Sequence, residues 1–142
     1  MIQHLLFAAL SIIGFSVLFN IPKNAIYKTA FSGALGWTTY VYFSNHLGQS
    51  TVMASFFAAS VVALFSEFFA RRFKETVTVF VIPGILPLVP GSGMYYTMLA
   101  IIEKDFSKAA LISTETMFIA GSIAAAIFIV SSVTRLFFIK KI

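Results

Sequence analysis

The chain has 142 residues, of which 59% are hydrophobic, 17 are phenylalanine and only 11% are charged. No soluble domain of this length could bury so much apolar surface, so the composition predicts an integral membrane protein. The formal net charge of +5 does not indicate nucleic-acid binding, because the basic residues stand at the ends of apolar runs. The absence of cysteine excludes disulfides and cysteine metal sites.

Five apolar segments are predicted to cross the bilayer as helices of a single membrane domain that covers residues 1–142. The first three have close to the roughly 20 residues that a helix needs to cross about 30 Å of hydrocarbon, and the last two are longer. The predicted spans are residues 3–20, 25–44, 51–70, 76–102 and 107–138. The predicted fold class is therefore all-α and integral to the membrane, with the fourth span broken by proline and glycine.

Basic residues are distributed unequally over the two sides that these five spans define. Lys104 and Lys108 fall on one side, and the other eight lysines and arginines fall on the opposite side. By the positive-inside rule, the C-terminus lies in the cytoplasm and the N-terminus outside. A four-span alternative would place one basic cluster on the wrong face. The eight residues are Lys23, Lys28, Arg71, Arg72, Lys74, Arg135, Lys140 and Lys141.

The fourth span contains three prolines and three glycines between Pro83 and Gly93. Proline lacks an amide donor and clashes with the preceding turn, so a continuous helix cannot form here. Lipid cannot bond to the freed backbone groups, which must therefore face protein or a water-filled cavity. A kink that only fits neighbouring helices is the alternative, but one kink requires fewer such residues. The break therefore predicts a substrate site.

A carboxylate is expected to bind where the second half of this broken helix begins. Exposed amides and the helix dipole favour an anion at that position, and the Ser92 hydroxyl adds a donor. One of the two tyrosines that follow is expected to line the wall. The expected substrate-binding residues of this segment are Pro90, Gly91, Ser92, Gly93, Tyr95 and Tyr96.

Polar residues in other segments are further candidates. Glu115 lies in the last span and is a candidate for proton coupling, or for accepting a substrate hydroxyl or ammonium group. An interfacial position is the alternative, because that span exceeds the bilayer thickness. Asn20 is expected either to cap the following turn or to complete a polar cavity that binds substrate. Glu67 and Arg71, four residues apart, are predicted to form a structural ion pair.

Small residues four apart are interpreted as helix-packing contacts rather than as a dimer interface. The pairs are Ser32 and Gly36, Ala54 and Ala58, and Gly121 and Ala125. Trp37, Tyr40 and Tyr42 are typical of an interfacial aromatic belt, with stacking on a substrate as the alternative. His4 and His46 are interpreted as solvated residues on the outer face.

A series of motifs resembles the second membrane half of the threonine/serine exporter family over nearly the whole chain. It consists of Gly14-Phe15, Phe19-Asn20-Ile21-Pro22, Pro83, Pro87-Leu88-Val89-Pro90-Gly91, and Tyr95 or Tyr96. The resemblance implies a small transport subunit of a bacterial cytoplasmic membrane, without enzymatic activity or a cofactor. It implies a substrate that is a small carboxylate-bearing metabolite, either threonine and serine or a succinate-like dicarboxylate.

The resemblance also implies a partner, because the two membrane halves of this family are fused or made as separate chains. The expected partner is a second membrane subunit of about five spans with a cytoplasmic N-terminal domain. Such a partner would end outside, where this chain begins, so the two halves would form an inverted-topology pair.

Two other functions are left open by the residues. An accessory subunit that only stabilises a transporting partner would have the same pattern. An intramembrane enzyme with Ser92 as nucleophile lacks a base, because His46 is expected outside the bilayer and no metal-ligand cluster is present. Substitutions at Gly91, Ser92 and Glu115 separate a transporter from an accessory subunit, since only a transporter would lose transport with the complex intact.

Overall fold

The computed structural model describes residues 2–139, which form helices joined by short turns. No strand occurs within this range. The all-α prediction is confirmed, and the helix bounds lie within three residues of the predicted spans. The elements are α1 (Ile2–Leu18), α2 (Lys23–Asn45), α3 (Thr51–Phe73), α4 (Val77–Ile85), a 3-10 turn (Leu86–Leu88), α5 (Gly91–Ile102) and α6 (Phe106–Ile139).

Two of the helices are individually long and apolar enough to cross a membrane, namely α3 and α6 over Phe106–Phe137. The segment Val77–Leu88 and α5 pass the same test as a pair, and the two pieces are bent by 55° at the break. α1 is apolar but has only 17 residues. The predicted interruption of the fourth segment corresponds to the bend, whereas the count of five spans and their orientation stay predictions.

Single residues with left-handed backbone follow the ends of several helices. Asn20, Lys74 and Lys104 have φ angles of 54°, 57° and 62°. Lys74 is the C-cap of α3, and its amide donates to the carbonyl of Ala70. Such residues satisfy carbonyls that the last helical turn leaves free. Asn20 thus shapes the turn through its backbone, and no side chain caps the start of α2.

Glycines bring α2 and α4 into close contact just before the break. A Cβ atom at Gly33 would lie 2.7 Å from the carbonyl oxygen of Gly84 and 2.5 Å from Cδ1 of Ile12. A Cβ atom at Gly84 would lie 2.9 Å from Cγ1 of Val62 on α3. Helix backbones can approach so closely only where no side chain intervenes. The crossing therefore positions the C-terminal end of α4 against both α2 and α3.

Gly33→Ala is expected to lower the free energy of unfolding by about 1–3 kcal/mol, because the added methyl group would overlap the Gly84 backbone. Gly14→Ala on α1 is the matched control. No atom lies within 4 Å of a Cβ at Gly14, so this change should stabilise the helix by up to about 1 kcal/mol. Chemical unfolding in detergent, followed by circular dichroism, measures both variants. Equal unfolding midpoints would contradict the close crossing.

The surface of α6 differs from that of the other long helices. Both small-residue pairs on α2 and α3 are buried, in agreement with the packing interpretation, whereas Gly121 and Ala125 on α6 are exposed. Within the most apolar stretch of each helix, the buried share is 17% for α6 and 44% for α3. α6 packs on α3 and α5, so most of its circumference faces outward.

Basic residues gather at the end of the bundle where α2 begins and where α3 and α6 end, which we call the basic end. Nζ of the buried Lys28 lies 3.3 Å from the ring centroid of Phe73, a close cation–π contact between α2 and α3. Thr134 of α6 lines a cavity together with Arg71. The predicted ion pair is confirmed, with Arg71 Nη2 donating to Glu67 Oε2 over 3.1 Å.

Candidate functional site

A cavity of about 340 Å³ lies beside the break, and we call it the break cavity. Its walls come from α2, α3, the break itself, α5 and α6. The volume is near the lower end of the roughly 300–1,000 Å³ found for small-molecule sites. Its polar and aromatic lining residues are Trp37, Tyr40, Thr51, Ser55, Ser92, Tyr96, Glu115 and Thr116.

The prolines of the break set where each half of the helix ends and begins. α4 ends at Ile85 and is followed by the 3-10 turn that contains Pro87. Pro90 is the N-cap of α5, with non-helical φ and ψ angles of −77° and 60°. Because proline has no amide hydrogen, neither residue can continue the hydrogen bonds of α4. The start of α5 is therefore turned toward the break cavity instead of being buried in a continuous helix.

The first turn of α5 presents two unbonded amides. The Gly91 amide donates to the carbonyl of Val89 over 2.8 Å, and the Met94 amide donates to that of Pro90 over 3.2 Å. The amides of Ser92 and Gly93, which lie between them, have no acceptor among the described residues. Free amides at a helix N-terminus carry partial positive charge and bind anions. This end of the cavity is therefore suited to a carboxylate.

Ser55 of α3 contributes a hydroxyl that is directed to the same cavity. It is 1% exposed, lines the cavity and makes no side-chain hydrogen bond within the described part of the chain. A hydroxyl that lines a cavity can donate to and accept from a bound ligand or water. Ser55 was not among the predicted residues. Its spacing of four residues from Thr51, on one face of α3, is the signal that could have found it.

Glu115 supplies the negative side of the break cavity. Its Oε1 accepts a hydrogen bond from Thr51 Oγ1 over 3.1 Å, although the two residues are 64 positions apart in the chain. Thr51 begins α3, so Glu115 lies toward the end of the bundle opposite the basic end. Lysine, arginine, aspartate and other glutamates are absent from the lining. No group of three or more His, Cys, Asp or Glu side chains that could hold a metal ion occurs among the described residues.

The aromatic residues of α2 divide between two faces of the helix. Trp37 and Tyr40, three residues apart, stack with ring centroids 5.3 Å apart and line the break cavity. Tyr42 lies outside it, is 45% exposed and stacks on His46. Residues three apart share a helix face, whereas residues five apart do not. The position of Trp37 and Tyr40 agrees with substrate contact, and the interfacial interpretation stays a prediction for Tyr42.

The predicted site residues are only partly brought together. Tyr96, and not its neighbour Tyr95, lies on the cavity wall. The lining includes Pro90, Ser92, Gly93, Tyr96 and Glu115 from the predicted set. Gly91, Tyr95 and Asn20 are exposed residues outside it. Further polar and aromatic lining residues lie outside that set, namely Trp37 and Tyr40, for which substrate stacking was the alternative interpretation, and Thr51, Ser55 and Thr116.

A second cavity of about 290 Å³ shares two wall residues with the break cavity. Trp37 and Pro87 line both volumes. The rest of the second cavity is formed by α1, through residues that include His4 and Ser11. His4, interpreted from the sequence as solvated, is exposed and also borders this cavity.

The apolar helices, the bent helix pair and the cavity at its break are the features of a helical membrane protein with a cavity of small-molecule size. A family model described as Threonine/Serine exporter, ThrE, matches residues 4–133. The chain therefore belongs to the threonine/serine exporter family, which confirms the resemblance noted in its motifs. The family is described as one of exporters, which is a class of transporters.

The chain is also similar to a longer protein whose activity is not described. An uncharacterized protein of Haemophilus influenzae is 30% identical over 131 residues, which are 87% of this chain and 44% of that protein. The chain thus spans less than half the length of this relative. No solved structure matches the chain.

Proposed function

We propose that the chain is one membrane half of a secondary transporter that exports threonine and serine through the break cavity. The observation that carries the proposal is that free amides with partial positive charge and a carboxylate side chain line the same cavity. The free amides of Ser92 and Gly93 suit the carboxylate of an amino acid, and Glu115 suits its ammonium group. A zwitterionic amino acid is therefore complementary to both sides.

Glu115 also distinguishes between the two substrate classes that the family resemblance implied. The second carboxylate of a succinate-like substrate would face the Glu115 carboxylate, and like charges in close contact cost several kcal/mol. The unbonded hydroxyl of Ser55 can instead pair with the side-chain hydroxyl of threonine or serine. Export of a dicarboxylate is the second candidate function, and it requires Glu115 to be protonated.

A second membrane half is proposed to complete the break cavity. Tyr96 is 53% exposed, and Ser92 and Glu115 are also exposed, although all three line the cavity. The outward face of α6 offers a further contact surface. The matched part of the Haemophilus influenzae relative is 44% of its length, which leaves room for another half. The proposed partner has about five spans, a cytoplasmic N-terminal domain and inverted topology.

In the proposed arrangement, this chain crosses the bacterial cytoplasmic membrane five times, with the N-terminus outside and the C-terminus inside. Lys28 and Arg71 lie at the basic end, and Thr134, which lines a cavity together with Arg71, directly precedes Arg135. This concentration of basic residues supports the proposed orientation. The accessory-subunit alternative explains the exposed surfaces equally well. It gives no reason, however, for unbonded amides and a carboxylate to share one cavity.

Binding of threonine to the purified chain is expected to change the emission of Trp37, which is the single tryptophan and lines the cavity. Succinate should bind at least about 100-fold more weakly at neutral pH, because of repulsion by Glu115. Cells that express the chain together with a five-span subunit encoded by a neighbouring gene should release preloaded threonine and serine faster than cells with either subunit alone. A Trp37→Phe variant provides the fluorescence control.

Two results would contradict the proposal. One is an assembled complex that releases neither threonine nor serine above the background of empty cells. The other is tighter binding of succinate than of threonine with Glu115 ionised, which would favour the dicarboxylate alternative.

A further inference from the structure

A third cavity lies at the basic end between α3 and α6, away from the break cavity. It has a volume of about 300 Å³ and is lined by Leu64, Glu67, Phe68, Arg71, Arg72 and Thr134, which we call the basic groove. α3 and α6 are the two helices that are individually long and apolar enough to cross a membrane. Leu64 and Phe68 are 52% and 62% exposed, so the groove opens on the surface that faces lipid.

The charges of the basic groove are predominantly positive. Glu67 is 5% exposed and pairs with Arg71 over 3.1 Å, which holds the Arg71 side chain against α3. Arg72 is exposed and has no carboxylate partner among the described residues. Arg135 follows Thr134 on α6 and is also exposed. Two guanidinium groups, those of Arg71 and Arg72, therefore line the groove with a single carboxylate.

Along α3, charged residues are followed toward the membrane interior by apolar residues, in the same order as the headgroup and the acyl chains of a phospholipid. Arg72 lies four residues, or about 6 Å, beyond Phe68, and Arg71 lies about 10 Å beyond Leu64. The arginines are thus nearer the helix end, where headgroups lie, and the apolar side chains are nearer the hydrocarbon. Guanidinium groups bind phosphate through paired hydrogen bonds.

We propose that the basic groove binds an anionic phospholipid, with its phosphate at Arg72 and Arg71 and an acyl chain along Phe68 and Leu64. A zwitterionic phospholipid carries its own cation, which would face the arginines, so it is the poorer ligand. Basic pockets between membrane helices attract anionic headgroups in this way. The site is independent of the transported substrate.

Native mass spectrometry of the full chain in detergent tests this site with phosphatidylglycerol and phosphatidylcholine as competing probes. Phosphatidylglycerol should occupy the chain preferentially, and Arg72→Gln should lower its affinity about fivefold. Lys74→Gln is the matched control, because it removes one charge at the same end from a residue outside the groove. Thr134→Trp should also lower the affinity, since it fills the groove without changing charge. Circular dichroism checks that each variant is folded.

Several outcomes would overturn the proposal. Equal losses with Arg72→Gln and Lys74→Gln would indicate diffuse attraction rather than a groove. Equal occupancy by the two lipids would remove the role of the headgroup charge. Displacement of phosphatidylglycerol by millimolar inorganic phosphate would indicate a site for soluble anions.

Discussion

Gly93→Ala is expected to reduce threonine efflux by about tenfold or more, since small displacements within a site are costly. The added methyl group would overlap Oγ1 of Thr116, and Cβ of Thr116 lies 3.3 Å away. Thr116 does not rotate freely, because its hydroxyl donates to the Ile112 carbonyl over 2.7 Å. The substitution therefore moves α5 away from α6 and shifts the free amides relative to Glu115. Efflux from preloaded cells measures the effect.

Gly91→Ala is the matched control for this prediction. No atom lies within 4 Å of a Cβ at Gly91, and its amide is already bonded within the break, so near-normal efflux is expected. The double variant Gly93→Ala with Thr116→Ala should recover much of the activity, because it removes the overlapping oxygen. If Gly93→Ala instead prevents assembly of the two subunits while the assembled fraction transports normally, the accessory-subunit alternative is favoured.

Glu115→Gln should weaken threonine binding by about 10- to 100-fold, because an uncharged amide oxygen replaces the carboxylate that pairs with the ammonium group. The glutamine retains the size of the side chain and can still accept from Thr51. The same variant should bind succinate more tightly than the native chain does. Transport should also lose its dependence on pH if Glu115 is the group that carries the proton. Fluorescence titration and efflux at two pH values measure these changes.

Two further variants show whether the charge of Glu115 is responsible. Glu103→Gln removes an exposed carboxylate outside the break cavity and should leave binding unchanged. Thr51→Ala keeps the Glu115 charge and removes its hydrogen bond, with an expected loss of about fivefold. A loss for Thr51→Ala that equals that of Glu115→Gln would mean that side-chain position, rather than charge, governs binding.

The break could be predicted from the sequence because its causes are local. Proline removes an amide donor from the backbone, and the free amides after Pro90 follow from the same chemistry. Pro83 lies within α4, and the helix ends at Ile85, just before the turn that contains Pro87.

The ends of the helices could be predicted to within three residues, whereas the left-handed cap at Lys74 was not predicted and the side chain of Asn20 does not cap α2. The ion pair of Glu67 and Arg71 lies within a single helical turn and required no knowledge of the tertiary structure.

The remainder of the site depends on contacts between distant segments. Thr51 and Glu115 are bonded across 64 positions, and no sequence pattern links them. A tryptophan such as Trp37 is typical both of a membrane interface and of a cavity wall, so the sequence alone does not distinguish the two positions. The choice between Tyr95 and Tyr96 depends on the rotation of α5 about its axis, because adjacent residues point about 100° apart.

Trp37 lines both the break cavity and the second cavity, so its indole lies where a solute would pass between them. The wall that separates the volumes is formed in part by Pro87, whose ring is fixed to the backbone, and in part by Trp37, whose side chain has two rotatable torsions. A solute that passed from the break cavity toward Ser11 and His4 would therefore meet the indole of Trp37, which stacks on Tyr40.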